Sequence, residues 1–175
     1  MIHRSLVLAA CLLASFAAEA VSTTAQITAQ SALLGLQLSA KHRAAKGTLP
    51  AAQNACIQAL KPAEFHETTE KVVTTSLSAS EIAAADQFFN SVPGRKYATH
   101  GLLGIYTALG EKLPELLPAI SATENQAIEA FTASPAGQAL FTRNVLQSQA
   151  ARDAYDGRAR ELVMRCQTVK PDRAD

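Results

Sequence analysis

A chain of 175 residues falls within the usual span of one domain, about 100–200 residues. Hydrophobic residues make up 48% and charged residues 18%, with 8 Gly and 7 Pro, so the chain can bury a sizeable core and is not wholesale disordered. A net charge of +1 lacks the basic excess of a polyanion binder, the absence of Trp weighs against stacking platforms, and three cysteines are too few for a disulfide scaffold or a zinc ribbon.

The first predicted element is an export signal. Arg4 precedes a Leu- and Ala-rich run over 5–18, and Ala18-Glu19-Ala20 has the small-x-small pattern of a cleavage site. A signal peptide over 1–20, cleaved after Ala20, leaves a single helical domain over 21–175 and a periplasmic location. The apolar run is shorter than the roughly 18–20 residues of a spanning helix. Leu8-Ala9-Ala10-Cys11 has the look of a lipoprotein processing box, so lipidation at Cys11 is the competing outcome, but few apolar residues precede it. Cys56 and Cys166 then remain, and two cysteines in an oxidising compartment most often pair.

Beyond residue 20 the pattern is helical throughout. A first helix is expected over 23–46, with Leu33, Leu34, Leu36 and Leu38 apolar and Gly47 as its stop. Thr48 and Pro50 open a short second helix to Leu60, with Ala52, Cys56 and Leu60 at four-residue spacing on one face. Pro62 starts a third, with Phe65, Thr69, Val72 and Ser76 on one side.

An internal repeat follows. Ser78-Ala79-Ser80-Glu81 and Ser121-Ala122-Thr123-Glu124 both read as capping boxes, in which Ser covers a free N–H and Glu reaches back. The same offset pairs Phe88 with Phe131, Ser91 with Ser134 and Gly94 with Gly137, so 78–98 and 121–141 are two copies of one helical hairpin. Ser91 and Ser134 are expected N-caps, Pro135 suits the first helical position, and Gly94 and Gly137 permit close helix approach. The 113–118 stretch, Leu-Pro-Glu-Leu-Leu-Pro, joins the units. The last helix is expected to run unbroken over 135–167, with Phe141, Val145, Ser148, Arg152, Tyr155, Ala159, Leu162 and Cys166 as its inner stripe. The sum is an all-α compact bundle of about six helices containing two similar hairpins and one disulfide.

The segments from Leu77 through Phe88-Phe89-Asn90-Ser91-Val92-Pro93-Gly94, and Phe131-Thr132-Ala133-Ser134-Pro135-Ala136-Gly137, resemble the family called domain of unknown function 2059. Its members are small exported bacterial proteins with an all-helical fold and a Phe-x-x-Ser-Pro-x-Gly motif. The second copy matches that motif in full; the first has Val92 where proline is usual. The resemblance covers 62–166 and implies helices and export, with no activity or catalytic residues to transfer.

Hydrolase and nucleotide motifs are missing from the sequence: there is no G-x-S-x-G, no S-x-x-K and no phosphate-cradling Gly loop. His66 and Glu70 share a helical face with Glu67 beside them, but a catalytic zinc needs a third protein ligand, so an acidic solvated face is the expected reading. No metal and no cofactor are expected. Charge is unevenly distributed: 21–63 carries Lys41, Arg43, Lys46 and Lys61 and no acid, whereas 64–129 holds nine acids against four bases. Either the first helices dock on the acidic middle, or the surface is polarised toward a partner. Arg95, Lys96 and Tyr97, just inside a helix start, together with Arg152, are the expected partner contacts, the alternative being plain solvation. These features predict a non-enzymatic periplasmic protein-binding module, most concretely an inhibitor or immunity protein against an envelope-acting toxin or hydrolase. Its partner would be another envelope or secreted protein, with no nucleic acid and no stable membrane insertion. The alternative is a carrier or chaperone for an apolar ligand or envelope component, with room between helices at Gly101, Gly104 and Ala108.

Overall fold

A computed structural model describes residues 21–167. The expected signal peptide, its cleavage site and Cys11 lie outside the described residues. Ser22 starts the fold by capping α1 (Thr23–Ala45), its side chain accepting from the Ala25 N–H. Gly47, at φ +69, ends that helix in the left-handed conformation that glycine adopts without a Cβ penalty. α2 (Ala51–Ala59) follows, then a 3-10 turn (Pro62–Phe65) leading into α3 (His66–Ser76). α4 (Ala79–Asn90) and α5 (Val92–Ala108) make the first hairpin; α6 (Ala122–Ala133) and the short α7 (Pro135–Gly137) begin the second. A π turn (Gln138–Thr142), a 3-10 turn (Val145–Gln147) and α8 (Gln149–Gln167) complete the chain. Every regular element among the described residues is helical, and Cys56 is bonded to Cys166 with an S–S distance of 2.07 Å.

Two apolar clusters hold the bundle. One gathers Val73, Leu77, Phe88, Phe89, Ile128, Phe131 and Leu140; the other gathers Leu33, Leu49, Ile57, Phe65, Leu162 and Cys166. α1 belongs to both, with Ala25 in the first and Ala29 and Leu33 in the second. At 1.5 Å per residue its 23 residues span roughly 35 Å. It packs against α2, α3, α4 and α5, with Ala25, Ala29 and Ala40 buried in the process. Its amino end is held by acids of the neighbouring helices. Thr24 gives both its N–H (2.8 Å) and its hydroxyl (2.7 Å) to Asp86, and the Ser22 N–H reaches Glu70 at 3.1 Å. Carboxylates there also suit the positive end of the helix dipole.

The repeat is present at the atomic level. Both capping boxes form, with the Ser78 N–H on Glu81 and the Ser121 N–H on Glu124, each at 2.8 Å. The two hairpins meet on their phenylalanines: the Phe88 and Phe131 rings stack at 3.9 Å and 9°. The units also clasp each other through charge, since Lys96 of the first binds Glu124 at 2.7 Å and Arg143 beyond the second binds Glu81 at 3.1 Å.

Two expectations are corrected. The last helix is not continuous over 135–167. Asn144 stands at φ +52, a left-handed conformation that Asn tolerates better than most residues, and Ser148 restarts the chain by accepting from the Ala151 N–H at 3.3 Å. Accordingly Phe141 is 40% exposed, and Arg152 points outward from α8, away from the stripe of Tyr155, Ala159, Leu162 and Cys166. In α2, Ala52 is exposed, and the inward face is Gln53, Ile57 and Leu60 with Cys56 partly buried. Gln53 reaches the Val163 carbonyl at 3.1 Å and so ties α2 to α8 next to the disulfide.

Candidate functional site

The two repeat junctions share one hydrogen-bond pattern. The Ser91 hydroxyl accepts from the Gly94 N–H at 3.1 Å and donates to the Phe88 carbonyl at 2.6 Å. Ser134 does the same with Gly137 at 3.2 Å and Phe131 at 2.6 Å. A Cβ on Gly94 would lie 1.9 Å from the Phe88 carbonyl oxygen, and one on Gly137 would lie 2.0 Å from that of Phe131. Each glycine therefore permits one helix to start against the last turn of the helix before it. These residues build the frame, and Phe88 and Phe131 are buried in it.

The four expected contact residues do not form one patch with a common character. The Arg95 guanidinium bonds the Asn90 carbonyl, closing the end of α4. Lys96 is held between Glu124 and the Ala119 carbonyl, the latter at 2.8 Å. Tyr97 packs its ring on Phe88 and Phe141. Arg152 is exposed on α8. Lys96, together with the Ser121 N–H, holds the Glu124 carboxyl down to about 2 from its ordinary 4.5. A depressed carboxyl favours the fold above its unfolded value, and that contribution fades as pH falls from about 4.5 toward 2. The Glu124 side-chain carbon shift in an NMR titration should accordingly show an ionised group at pH 3.5; a midpoint near 4.5 would mean the clasp is absent in solution.

His66, Glu67 and Glu70 do not converge. Glu70 receives the Ser22 N–H, and Glu67 lines a groove between α3 and α8. Among the described residues no group of three His, Cys, Asp or Glu is gathered as a metal ion would require. Of the bases in the N-terminal region, Lys41 binds Glu111 at 2.7 Å with His42 beside it at 2.9 Å, while Arg43, Lys46 and Lys61 stay exposed.

The feature missed by sequence reasoning is the connection between the two hairpins. Glu111 fixes its near end on α1. At its far end His100 Nε2 lies 2.7 Å from the Pro118 carbonyl, and Lys96 holds the Ala119 carbonyl. Between these feet Leu113 is 39% exposed, Leu116 92% and Leu117 48%. Pro114 and Pro118 restrict the backbone on both sides of the Leu116-Leu117 pair. The available signal was three leucines in a non-periodic segment between prolines, a pattern that no amphipathic helix or strand would bury.

The class defined so far is an all-α, disulfide-closed domain built on a duplicated helical hairpin. No family model, curated protein or solved structure matches the chain. Among the described residues no helix is long and apolar enough to cross a membrane.

Proposed function

We propose that this protein is a non-enzymatic, periplasmic module that binds another envelope or secreted protein through the leucine-bearing loop over 112–117. The observation that carries this reading is the pairing of anchored feet with exposed leucines. A loop already held at Glu111, Pro118 and Ala119, and stiffened by two prolines, has less conformational freedom to lose on binding. Its Leu116 and Leu117 present apolar surface that a partner's hollow would remove from water, at about 25 cal/mol per Å². The Phe-x-x-Ser-Pro-x-Gly junction at Phe131, Ser134, Pro135 and Gly137 supports membership in the domain of unknown function 2059 family, and the N-terminal pattern supports export. Inhibition of an envelope-acting toxin or hydrolase is the most concrete form of this function, since a rigid frame with one presented loop suits blocking a cleft.

A photo-crosslinking residue at Leu116 tests it in the exporting cell, with one at Lys46 as an exposed control. The expected result is a discrete adduct from position 116 only, lost when Leu117→Ser is added and the unfolding midpoint is unchanged. No adduct at 116, or the same adducts at 46, would overturn the reading.

A further inference from the structure

Two uncovered surfaces share the carboxyl end of α1. Lys41 and His42 stand at Glu111, the near foot of the leucine loop, and the next residue, Arg43, lines a separate groove against α8. That groove encloses about 460 Å³. Its apolar wall is Ala159, Val163 and Met164, and its charge comes from Arg43, Arg160 and Asp156. Met164 is 56% exposed. Among the described residues neither Arg43 nor Arg160 is bonded to an acid, whereas Lys41, Lys96, Arg143 and Arg158 all are.

The leucine loop has the matching composition. Between its feet it holds one acid and one base, Glu115 and Lys112, around Leu113, Leu116 and Leu117, and all five are exposed. Glu115 adjoins the leucines and complements the two unpaired guanidiniums, while Lys112 complements Asp156. Unpaired cations beside an apolar wall select a segment that brings both negative charge and apolar side chains. No loop residue lines the groove of its own chain, and both ends of the loop are fastened. The loop that enters this groove is therefore another copy's. Because loop foot and groove meet at adjacent residues of α1, a two-fold axis there lets each copy give a loop and receive one. A single contact would leave one loop and one groove open; the reciprocal exchange closes both.

We propose that two copies of this protein pair by reciprocal exchange, the 112–117 loop of each seated in the other's groove with Glu115 between Arg43 and Arg160. The pairing uses the same loop as the partner reading but does not depend on it. Sedimentation velocity of the oxidised protein at rising concentration should show a reversible monomer–dimer equilibrium and nothing larger. Raising salt from about 0.05 to 0.5 M should shift it toward monomer, because exposed charges are screened. Glu115→Lys and Arg160→Glu should each weaken pairing at least about tenfold, since each sets like charges against one another. Both positions are exposed and neither joins an ion pair of the fold, so urea midpoints should stay unchanged. Mixed one to one, the two variants should pair again at near the native strength. In that mixture the altered loop meets the altered groove, and the native loop meets the native groove. A monomer at every concentration, an open series of larger species, pairing indifferent to either substitution, or a mixture no stronger than its parts would each overturn the proposal. So would binding of the monomer to phosphatidylglycerol vesicles that Arg160→Glu abolishes, which would assign the groove to an anionic membrane. A photo-crosslink from position 116 keeps the two readings apart, because a self-adduct has twice the chain's mass. Failure of pairing leaves the other protein's adduct intact, and failure of that adduct leaves pairing intact.

Discussion

Gly137→Ala is expected to lower the stability of this protein, although alanine in a helix interior is ordinarily favoured over glycine by about 1 kcal/mol. The added Cβ would sit 2.0 Å from the Phe131 carbonyl oxygen, 2.6 Å from Thr132 Cα and 2.8 Å from the Phe131 carbonyl carbon. All three are backbone atoms, so no side chain can rotate away and α7 must back off from the end of α6. Overpacking a well-packed site costs about 1–3 kcal/mol, and the upper end applies here because Phe131 itself carries the stack on Phe88. Gly94→Ala should act alike, with its Cβ 1.9 Å from the Phe88 oxygen. Ser134→Ala removes the acceptor for the Gly137 N–H and should cost about 1 kcal/mol. Urea unfolding gives the signs directly. A higher midpoint for Gly137→Ala would show that propensity outweighs the contact and that the junction yields readily.

The two junctions were legible in the sequence because each rests on local chemistry. A Ser-x-x-Glu box and a Ser-x-x-Gly junction specify their hydrogen bonds within four residues, and the duplication marked them twice. The disulfide was legible by counting, since only Cys56 and Cys166 remain after residue 20. The break before α8 was not. Alternating three- and four-residue steps continue from Phe141 to Cys166 in sequence, but periodicity reports phase and not continuity. The left-handed Asn144 and the packing of Phe141 on Tyr97 and Phe131 decide the path there, and both depend on the assembled hairpins. The Ser148 cap was the one local sign of a restart.

Breaking the Cys56–Cys166 bond is expected to have the largest effect of any single change. The bridge closes a loop of 110 residues, and constraining a loop of that length in the unfolded chain is worth about 4–5 kcal/mol in the entropy model, with delivered values often smaller. The folded side adds a reason for local loss. α2 is only 9 residues long, and no side chain caps its start at Pro50. A helix this short is marginal alone, since about 12–15 residues are needed even for favourable sequences. Ile57, Gln53 and the bridge are what fasten it to α8. A Cys56→Ser/Cys166→Ser variant should therefore unfold at a clearly lower urea concentration, matching the native protein in reductant. In hydrogen exchange, amides of α2 and the last turns of α8 should lose protection beyond the global change, whereas those around the Phe88–Phe131 stack should not. Equal losses in both regions would place the whole effect in the unfolded chain. An unchanged midpoint in that variant, and in the native protein reduced to two alkylatable thiols, would show that Gln53 and the apolar contacts of Ile57 and Leu162 suffice to hold α2, leaving the bridge no thermodynamic role.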